Sequence, residues 1–436
     1  MSAAELFAPD FKEKPYWWEA AEPALRPGRA LPARVEVAVV GGGYTGLSAA
    51  LELARRGREV CVLDGERIGF GASSRNGGMV SGGLKIAKSS LAERFGQEKA
   101  REIIDEGARS FTFLEELIAR EKIECHYKRT GRYLAAYSPK HYAELGERAK
   151  LLRETTGMAT ALVPRERQRE EIGSDHYRGG LVVEAAGGLH PALYVRGLAA
   201  AAERAGAALI DETRVGRISR NGDGFEIATN RGRLSARTVM LGTNGYTERS
   251  MPWFARRLIP VASFIIATEP LAPEVTKRLV PNGRMISDTR RVLNYFRLSP
   301  DGTRVLWGGR ASFRRVDQRT SALRLHATMS TVWPELKDVR ITHSWTGNVA
   351  FTFDFLPHMG VHDGIYYALG CQGSGVAMQS YLGYRTALKI VGGDNRPCAF
   401  DGLPFNTLPL YNGQPWFLPL VGSWYRLRDR LDRMAA

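Results

Sequence analysis

The spacing of apolar residues changes along the chain, and each change marks an element. Residues 37–50 read VAVVGGGYTGLSAA: a short unbroken apolar run, a glycine turn, and a helix over 45–56 that stops at Gly57. A second apolar run, 59–63, ends on Asp64, 18 residues past Gly46. Apolar runs this short, bounded by turn residues, predict buried strands. Ile104, Phe111, Leu114 and Ile118 share one face at 3.6-residue spacing, which predicts a helix over 91–118. Short strands are expected within 126–137, helices over 141–154 and 191–205, and a strand pair about Gly222 to Gly224. The run 238–241 is a strand that stops on GTNGYT. Residues 291–298 and 303–307 alternate about SPDG, a hairpin signal, and close on Gly308, Gly309 and Arg310. Last come a strand at 366–369, a glycine turn GCQGSG at 370–375, and a helix through Val391 ended by Gly392 and Gly393.

Two of these junctions carry chemistry. Gly41, Gly43 and Gly46 hold the G-x-G-x-x-G positions between a strand and a helix. The first permits the tight turn, the second lets backbone approach a pyrophosphate, and the third lets helix and strand pack closely. The helix then points its N-terminal amides at the phosphates. Asp64 sits where a carboxylate accepts both ribose hydroxyls and repels a 2′-phosphate, which disfavours NADP and leaves FAD and NAD. The turn at 370–375 offers a second helix N-terminus with free amides, suited to the negative charge of a reduced flavin. A nicotinamide fold has no need of this second turn, so the pair points to FAD. The glycine-rich loop 65–83, GERIGFGASSRNGGMVSGG, lets backbone amides and the hydroxyls of Ser73 and Ser74 crowd a ligand beside Arg75 and Asn76.

The chain has 436 residues, enough for about two to three domains. Its 44% hydrophobic and 25% charged content is that of a soluble globular protein, and no apolar run reaches the length of a membrane helix. The first 14 residues carry acids and no apolar stretch, so no secretory signal is expected. Cys61, Cys125, Cys371 and Cys398 are dispersed without a C-x-x-C pair, which fits a reduced, cytoplasmic compartment and no zinc site. His358 and His362 have the one metal-like spacing, but Pro357 and Gly360 oppose a helix that would align them, so no metal is expected. The net charge of +15 is spread among interleaved acids, and nucleic acid is not an expected partner.

Both ends of the chain have their own patterns. Trp17 and Trp18, beside Pro23, Pro27 and Pro32, read as an extended arm anchored on the body. At the other end Trp424, Leu427, Leu431 and Met434 form one helical stripe with arginines opposite. Docking of that stripe on the protein itself is the expected role, with peripheral membrane contact the alternative.

The segments GGGYTGLSAA, VCVLDGERIGFGASSRNGG, GGLHPALYVRGLA, MLGTNGYT, IIATEPL and WTGNVAFTFDFLPHMG together resemble the D-amino-acid oxidase-like FAD oxidoreductases, over nearly the whole chain. These are amine- and amino-acid-oxidising flavoproteins that include sarcosine oxidase and glycine oxidase. The resemblance implies an α/β protein: a Rossmann-like FAD domain assembled from 33–90, 187–250 and 336–400, a mixed-sheet α+β substrate domain from 91–186 and 251–335, and a tail at 401–436. It implies FAD contacts at Gly41, Gly43, Tyr44, Thr45, Gly46, Asp64, Arg67, Ser73, Ser74, Asn76, Gly77 and Gly78. Val215, Thr243, Gly347, Gly373, Ser374, Gly375 and Val376 complete that set.

Covalent-flavin relatives carry a cysteine shortly before the segment TFDFLPHMG, and this chain has none between Cys125 and Cys371, so the FAD is expected to be non-covalent. Oxygen-using relatives carry a lysine on a substrate-domain strand. The comparable stretch GTRVLWGGR has Arg304 and Arg310 but no lysine, which leaves oxygen or an electron carrier as acceptor. The implied activity is oxidation of an amine C–N bond to an imine, with a γ-glutamylputrescine-like primary amine as the small-molecule substrate. The alternatives are an N-substituted or cyclic amino acid, a modified tRNA base, or a non-catalytic FAD subunit. Tyr295, Trp307 and Arg310 on the predicted hairpin are the candidate substrate-pocket residues, with Arg310 suited to a carboxylate. His343 and His358 are expected to be structural.

Overall fold

The computed structural model describes residues 5–26, 28–84, 88–310, 316–393 and 396–434, without the side chains of 88 and 89. It is built on two large sheets. The first has its strands in the order Val215–Asn221, Gly224–Thr229, Gly232–Leu241, Arg34–Val40, Val60–Leu63 and Ala208–Ile210. Ile365–Leu369 also pairs with Gly232–Leu241 and carries His358–His362. Its centre is parallel, with Val37–Val40 in register with Val60–Leu63 on one side and Thr238–Leu241 on the other. Parallel strands need both faces covered, which is why these segments read as unbroken apolar runs. Tyr44–Arg55, Gln97–Glu121, Pro191–Arg204 and Gly375–Val391 supply helical cover, and Leu47, Leu53, Leu114, Leu198 and Leu382 are fully buried among them.

The helices begin and end where local chemistry dictates. Tyr44–Arg55 gives way to Gly57 at φ +72°, and Gly375–Val391 to Gly392 at φ +68°. Pro139–Thr156 starts on Ser138, whose hydroxyl accepts from the His141 amide at 3.3 Å. The helix expected over 91–118 is two helices, Lys88–Phe95 and Gln97–Glu121, because Gly96 breaks it at φ +82°. Gly383 brings the last core helix onto the dinucleotide helix: a Cβ there would lie 2.1 Å from the Thr45 carbonyl oxygen. Inside this bundle Glu106 is 2% exposed and pairs with Arg385 at 2.9 Å and Arg396 at 3.1 Å.

The second sheet has nine strands, in the order Phe7–Lys12, Ile341–Phe351, Ile259–Thr268, Val305–Gly309, Asn294–Leu298, Met285–Asp288, Arg132–Ala135, Gly180–Val183 and Thr160–Val163. The hairpin expected about SPDG is present, with Tyr295 opposite Gly308 and Phe296 opposite Trp307. Gln318–Val332 covers one face, and the other meets the first sheet's ligand edge. Arg297 ties the two units: its Nη1 donates to the carbonyls of Gly78 and Leu189 at 3.0 and 2.9 Å.

Both chain ends depart from expectation. The leader expected to be extended contains one helical turn, Trp18–Ala21, and ahead of it Phe7–Lys12 adds a strand to the second sheet. Trp17 is fully buried and donates to the Asn76 carbonyl at 2.8 Å, while Pro27 lies outside the described residues. The C-terminal helix Leu418–Met434 does dock, but by its polar face. Asp429 is buried and accepts from the Arg291 and Val292 amides at 3.0 and 3.1 Å. The apolar stripe instead faces solvent, with Trp424 56% and Met434 80% exposed. Paired main-chain amides outweigh the apolar contact because a buried, unpaired donor is costly.

Candidate active site

A cavity of about 460 Å³ runs from the ligand edge of the first sheet to the open face of the second. This is within the ordinary range for small-molecule and cofactor sites. The glycine turn forms one end. Gly41 has φ +106°, and a Cβ on it would sit 3.0 Å from the Gly242 carbonyl group. A Cβ on Gly46 would lie 1.9 Å from the Gly41 oxygen, so any side chain there forces helix and strand apart. At Gly43 an added Cβ would meet Ser73 Oγ at 2.8 Å, and that same hydroxyl accepts from the Tyr44 amide at 3.1 Å. Backbone therefore lines this end, with the helix N-terminus directed at it.

Asp64 follows the second strand as the spacing requires. Its Oδ2 accepts from the Gly42 amide at 2.7 Å and Oδ1 from the Glu66 amide at 2.9 Å. Burial pushes its pKa up to about 6 against the lowering effect of those two amides, with nearby Asp211 adding to the rise. Val215, Thr243 and the 373–376 turn line the same cavity. Asn76 is held by its own network: Nδ2 donates to Tyr44 Oη at 3.0 Å and Oδ1 accepts from the Gly78 amide at 2.8 Å. Beside it Arg75 stacks on Phe70 at 4.4 Å and Trp18 at 4.6 Å, and burial lowers its pKa.

Not every residue of the implied set reaches the cavity. Gly41, Gly43, Tyr44, Thr45, Asp64, Ser73, Asn76, Gly77, Val215, Thr243, Gly347 and Gly373 to Val376 line it. Gly46, Arg67, Ser74 and Gly78 stand behind the wall. Ser74 is fully buried and accepts from Trp18 Nε1 at 3.0 Å, and Arg67 donates to the Pro23 carbonyl at 3.2 Å, so both anchor the leader. Gly78 at φ +66° abuts the Leu189 carbonyl, 2.1 Å from where its Cβ would be.

The hairpin candidates separate by strand alternation. Tyr295 faces the cavity, its ring across Gly308 and its hydroxyl 2.9 Å from Ser263 Oγ. Burial raises its pKa to about 12, so it stays protonated. Arg310 also lines the cavity, 4.7 Å from the Phe351 ring centroid. Burial lowers its pKa, with Tyr425 and Tyr295 acting in the opposite sense. Trp307 is not a pocket residue. It lies on the opposite face of the sheet, stacked on Phe296 at 4.2 Å and packed against Trp333. Side chains alternate along a strand, so Trp307 cannot share the face presented by Gly308 and Arg310.

Sequence reasoning did not find Arg132 or Ser263, which also line the cavity. Neither stands in a motif; only the strand order brings them to the site. His343 Nε2 lies 3.1 Å from Glu19, and His358 Nε2 bonds Asp354 Oδ1 at 3.0 Å, both away from the lining.

A strand, a glycine turn whose cradle a Cβ would fill, an acid after the next strand and a second glycine turn form one wall of a single cavity. That arrangement fits a dinucleotide with its flavin end toward the second sheet. A family model described as FAD dependent oxidoreductase, DAO, matches residues 36–388. The chain belongs to this family. It is a FAD-dependent oxidoreductase with a mixed α/β fold.

The chain is 33% identical to the probable oxidoreductase OrdL of Haemophilus influenzae, over 84% of this chain and 85% of that protein. It is 32% identical to the gamma-glutamylputrescine oxidoreductase of Escherichia coli K12, over 91% of this chain and 93% of that protein. Among solved structures, glycine oxidase from Geobacillus kaustophilus matches with a TM-score of 0.69 at 22% identity, over 87% of this chain and 99% of that one. In this DAO-family chain the cofactor end of the cavity is thus fixed by backbone, and the other end by side chains of the nine-stranded sheet. No helix among the described residues is long and apolar enough to cross a membrane.

Proposed function

We propose that the chain oxidises the C–N bond of an amine to an imine, which water converts to a carbonyl, and that a γ-glutamylputrescine-like primary amine is its substrate. The observation that carries this is the single cavity joining the dinucleotide cradle to the sheet face that bears Tyr295 and Arg310. Similarity to gamma-glutamylputrescine oxidoreductase over nearly both full lengths supports the substrate. FAD, held without a covalent bond by the residues that line the cradle, supplies the two-electron acceptor. Val261, Ile265 and Phe351 make apolar walls beside Tyr295 and keep water from the reacting carbon.

The charge of the lining favours the reactive form of the substrate. Its acids, Asp64, Glu66 and Glu248, belong to the end near Arg214 and Val215, where Arg214 pairs with both glutamates. The sheet end carries Arg132 and Arg310 and, among the described lining residues, no carboxylate. An ammonium entering there meets like charge, which lowers its pKa and yields the neutral amine that C–H cleavage needs. Four buried, unpaired cysteines support a cytoplasmic location.

Anaerobic mixing of the purified protein with γ-glutamylputrescine, putrescine, sarcosine, pipecolate and D-amino acids tests the reading through the flavin absorbance. Bleaching by γ-glutamylputrescine is the expected result, and the speed of recolouring in air then distinguishes oxygen from a carrier as acceptor. Bleaching only by sarcosine or pipecolate would move the substrate to N-substituted or cyclic amino acids, whose carboxylate also suits a cavity arginine. A flavin unchanged by every amine would refute amine oxidation.

A further inference from the structure

Arg132 opens a strand on the far side of Tyr295 from Arg310. Its Nη2 donates to Ser287 Oγ at 2.6 Å, while its Nε is buried and has no hydrogen-bond partner. The charge acting on it is another cation, Arg148, and burial together with Arg148 lowers its pKa to about 10, so it is charged at neutral pH. Arg148 is itself half-buried, and desolvation lowers its pKa. A guanidinium with a buried, unsatisfied donor and a like-charged neighbour is costly unless an anion completes it. The donor belongs to a side chain that lines the cavity.

We propose that Arg132 binds a carboxylate carried by the amine substrate, at a point separate from Arg310. Three strand spacings lie between the two residues' strands, on the order of 14 Å across the cavity floor. The site therefore suits an elongated amine with an anionic group remote from the reacting nitrogen, and discriminates against free diamines, whose far end is cationic. This rests on the amine-oxidation reading for the identity of the substrate, but the anion site itself does not.

The test uses the FAD-loaded protein and two readouts. Calorimetric titration with glutarate, a dicarboxylate without an amine, reports the site directly. Arg132→Met is expected to weaken glutarate at least about 50-fold and Arg132→Lys about 10-fold, since lysine keeps the charge and loses the fork. Anaerobic flavin reduction then compares γ-glutamylputrescine with N-acetylputrescine: losing the Arg132 charge acts on the amine of both, and Arg132→Met is expected to raise the half-saturating concentration of the first at least about 10-fold more than that of the second. Glutarate binding equally to wild type and Arg132→Met, or not binding wild type, overturns the proposal. If Arg132→Met does not fold, Arg132→Lys decides, because unchanged glutarate affinity there also overturns it. If no amine bleaches the flavin while glutarate binding still depends on Arg132, amine oxidation falls and the anion site stands.

A second observation is independent of the cavity. The C-terminal helix turns its acids inward, Asp429 and Asp432 onto Arg291, and leaves an apolar ridge outside. Trp416 is 68%, Leu420 71% and Trp424 56% exposed, continuous with Leu427, Leu431 and Met434. Arg426 and Arg430 are exposed on the same helix, and the chain carries +15 overall. We infer that this ridge docks on an anionic phospholipid surface, where tryptophans seat at the headgroups and arginines meet phosphate.

Co-sedimentation of the full protein with phosphatidylglycerol/phosphatidylcholine vesicles tests this. Binding is expected to weaken with salt and to fall about 10-fold or more in W416S/W424S/L427S, whose substitutions are all at exposed positions. Absence of vesicle binding, or a solution dimer abolished by the same substitutions without vesicle binding, overturns it.

Discussion

Asp64 makes the affinity for FAD depend on pH in a direction the structure sets. Without ligand, burial holds its pKa at about 6 despite two backbone amides, well above the ordinary carboxylate value of 3.8. A raised folded-state pKa means that ionised Asp64 costs the empty fold stability, a cost relieved as pH falls through 6. Ribose hydroxyls need the ionised acceptor, so cofactor binding runs the opposite way. With a pKa near 6, protonation competes negligibly at pH 7 and weakens binding by about 10-fold at pH 5. Asp64→Asn keeps the shape and one acceptor but removes the charge; losing one charge-assisted bond, about 1.5–3 kcal/mol, predicts a roughly 10- to 150-fold weaker Kd at pH 7. The Asn variant should also show a flat profile between pH 5 and 7. Titration of apoprotein with FAD, followed by flavin fluorescence, measures both. A flat wild-type profile, or a slope that survives in Asp64→Asn, would refute the assignment of Asp64 as the ribose acceptor.

Three further outcomes are expected. Gly46→Ala places a carbon against the Gly41 carbonyl oxygen, and should purify with little flavin and an FAD affinity reduced at least about 100-fold. Tyr295→Phe and Trp307→Phe should separate the two faces of one sheet. The first lowers kcat/KM about 10-fold and, losing the bond to Ser263, costs no more than about 1 kcal/mol in urea unfolding; the second costs about 1–3 kcal/mol there with an unchanged half-saturating amine concentration. Glu106→Gln removes the buried carboxylate that Arg385 and Arg396 share and should cost about 3 kcal/mol, read as an earlier urea midpoint.

The local parts of this molecule were legible in the sequence. A strand–glycine–helix–strand–acid order has few solutions, because the turn, the close helix contact and the ribose acceptor each demand a residue type at a fixed offset. The structure places Gly41, Gly46 and Asp64 accordingly. The hairpin about SPDG and the glycine ends of the helices follow from turn chemistry of the same short range. Tertiary packing decided what lies across the chain. Arg132 and Ser263 are remote from any motif and meet the cavity only because their strands share a sheet with Tyr295. The face on which Trp307 lies depends on which side of that sheet the core helix covers, a choice its own segment does not contain. The C-terminal helix shows the same limit. Its amphipathic pattern gives two faces but not which one is buried, and Asp429, satisfied by two amides of a distant loop, drew the polar face inward.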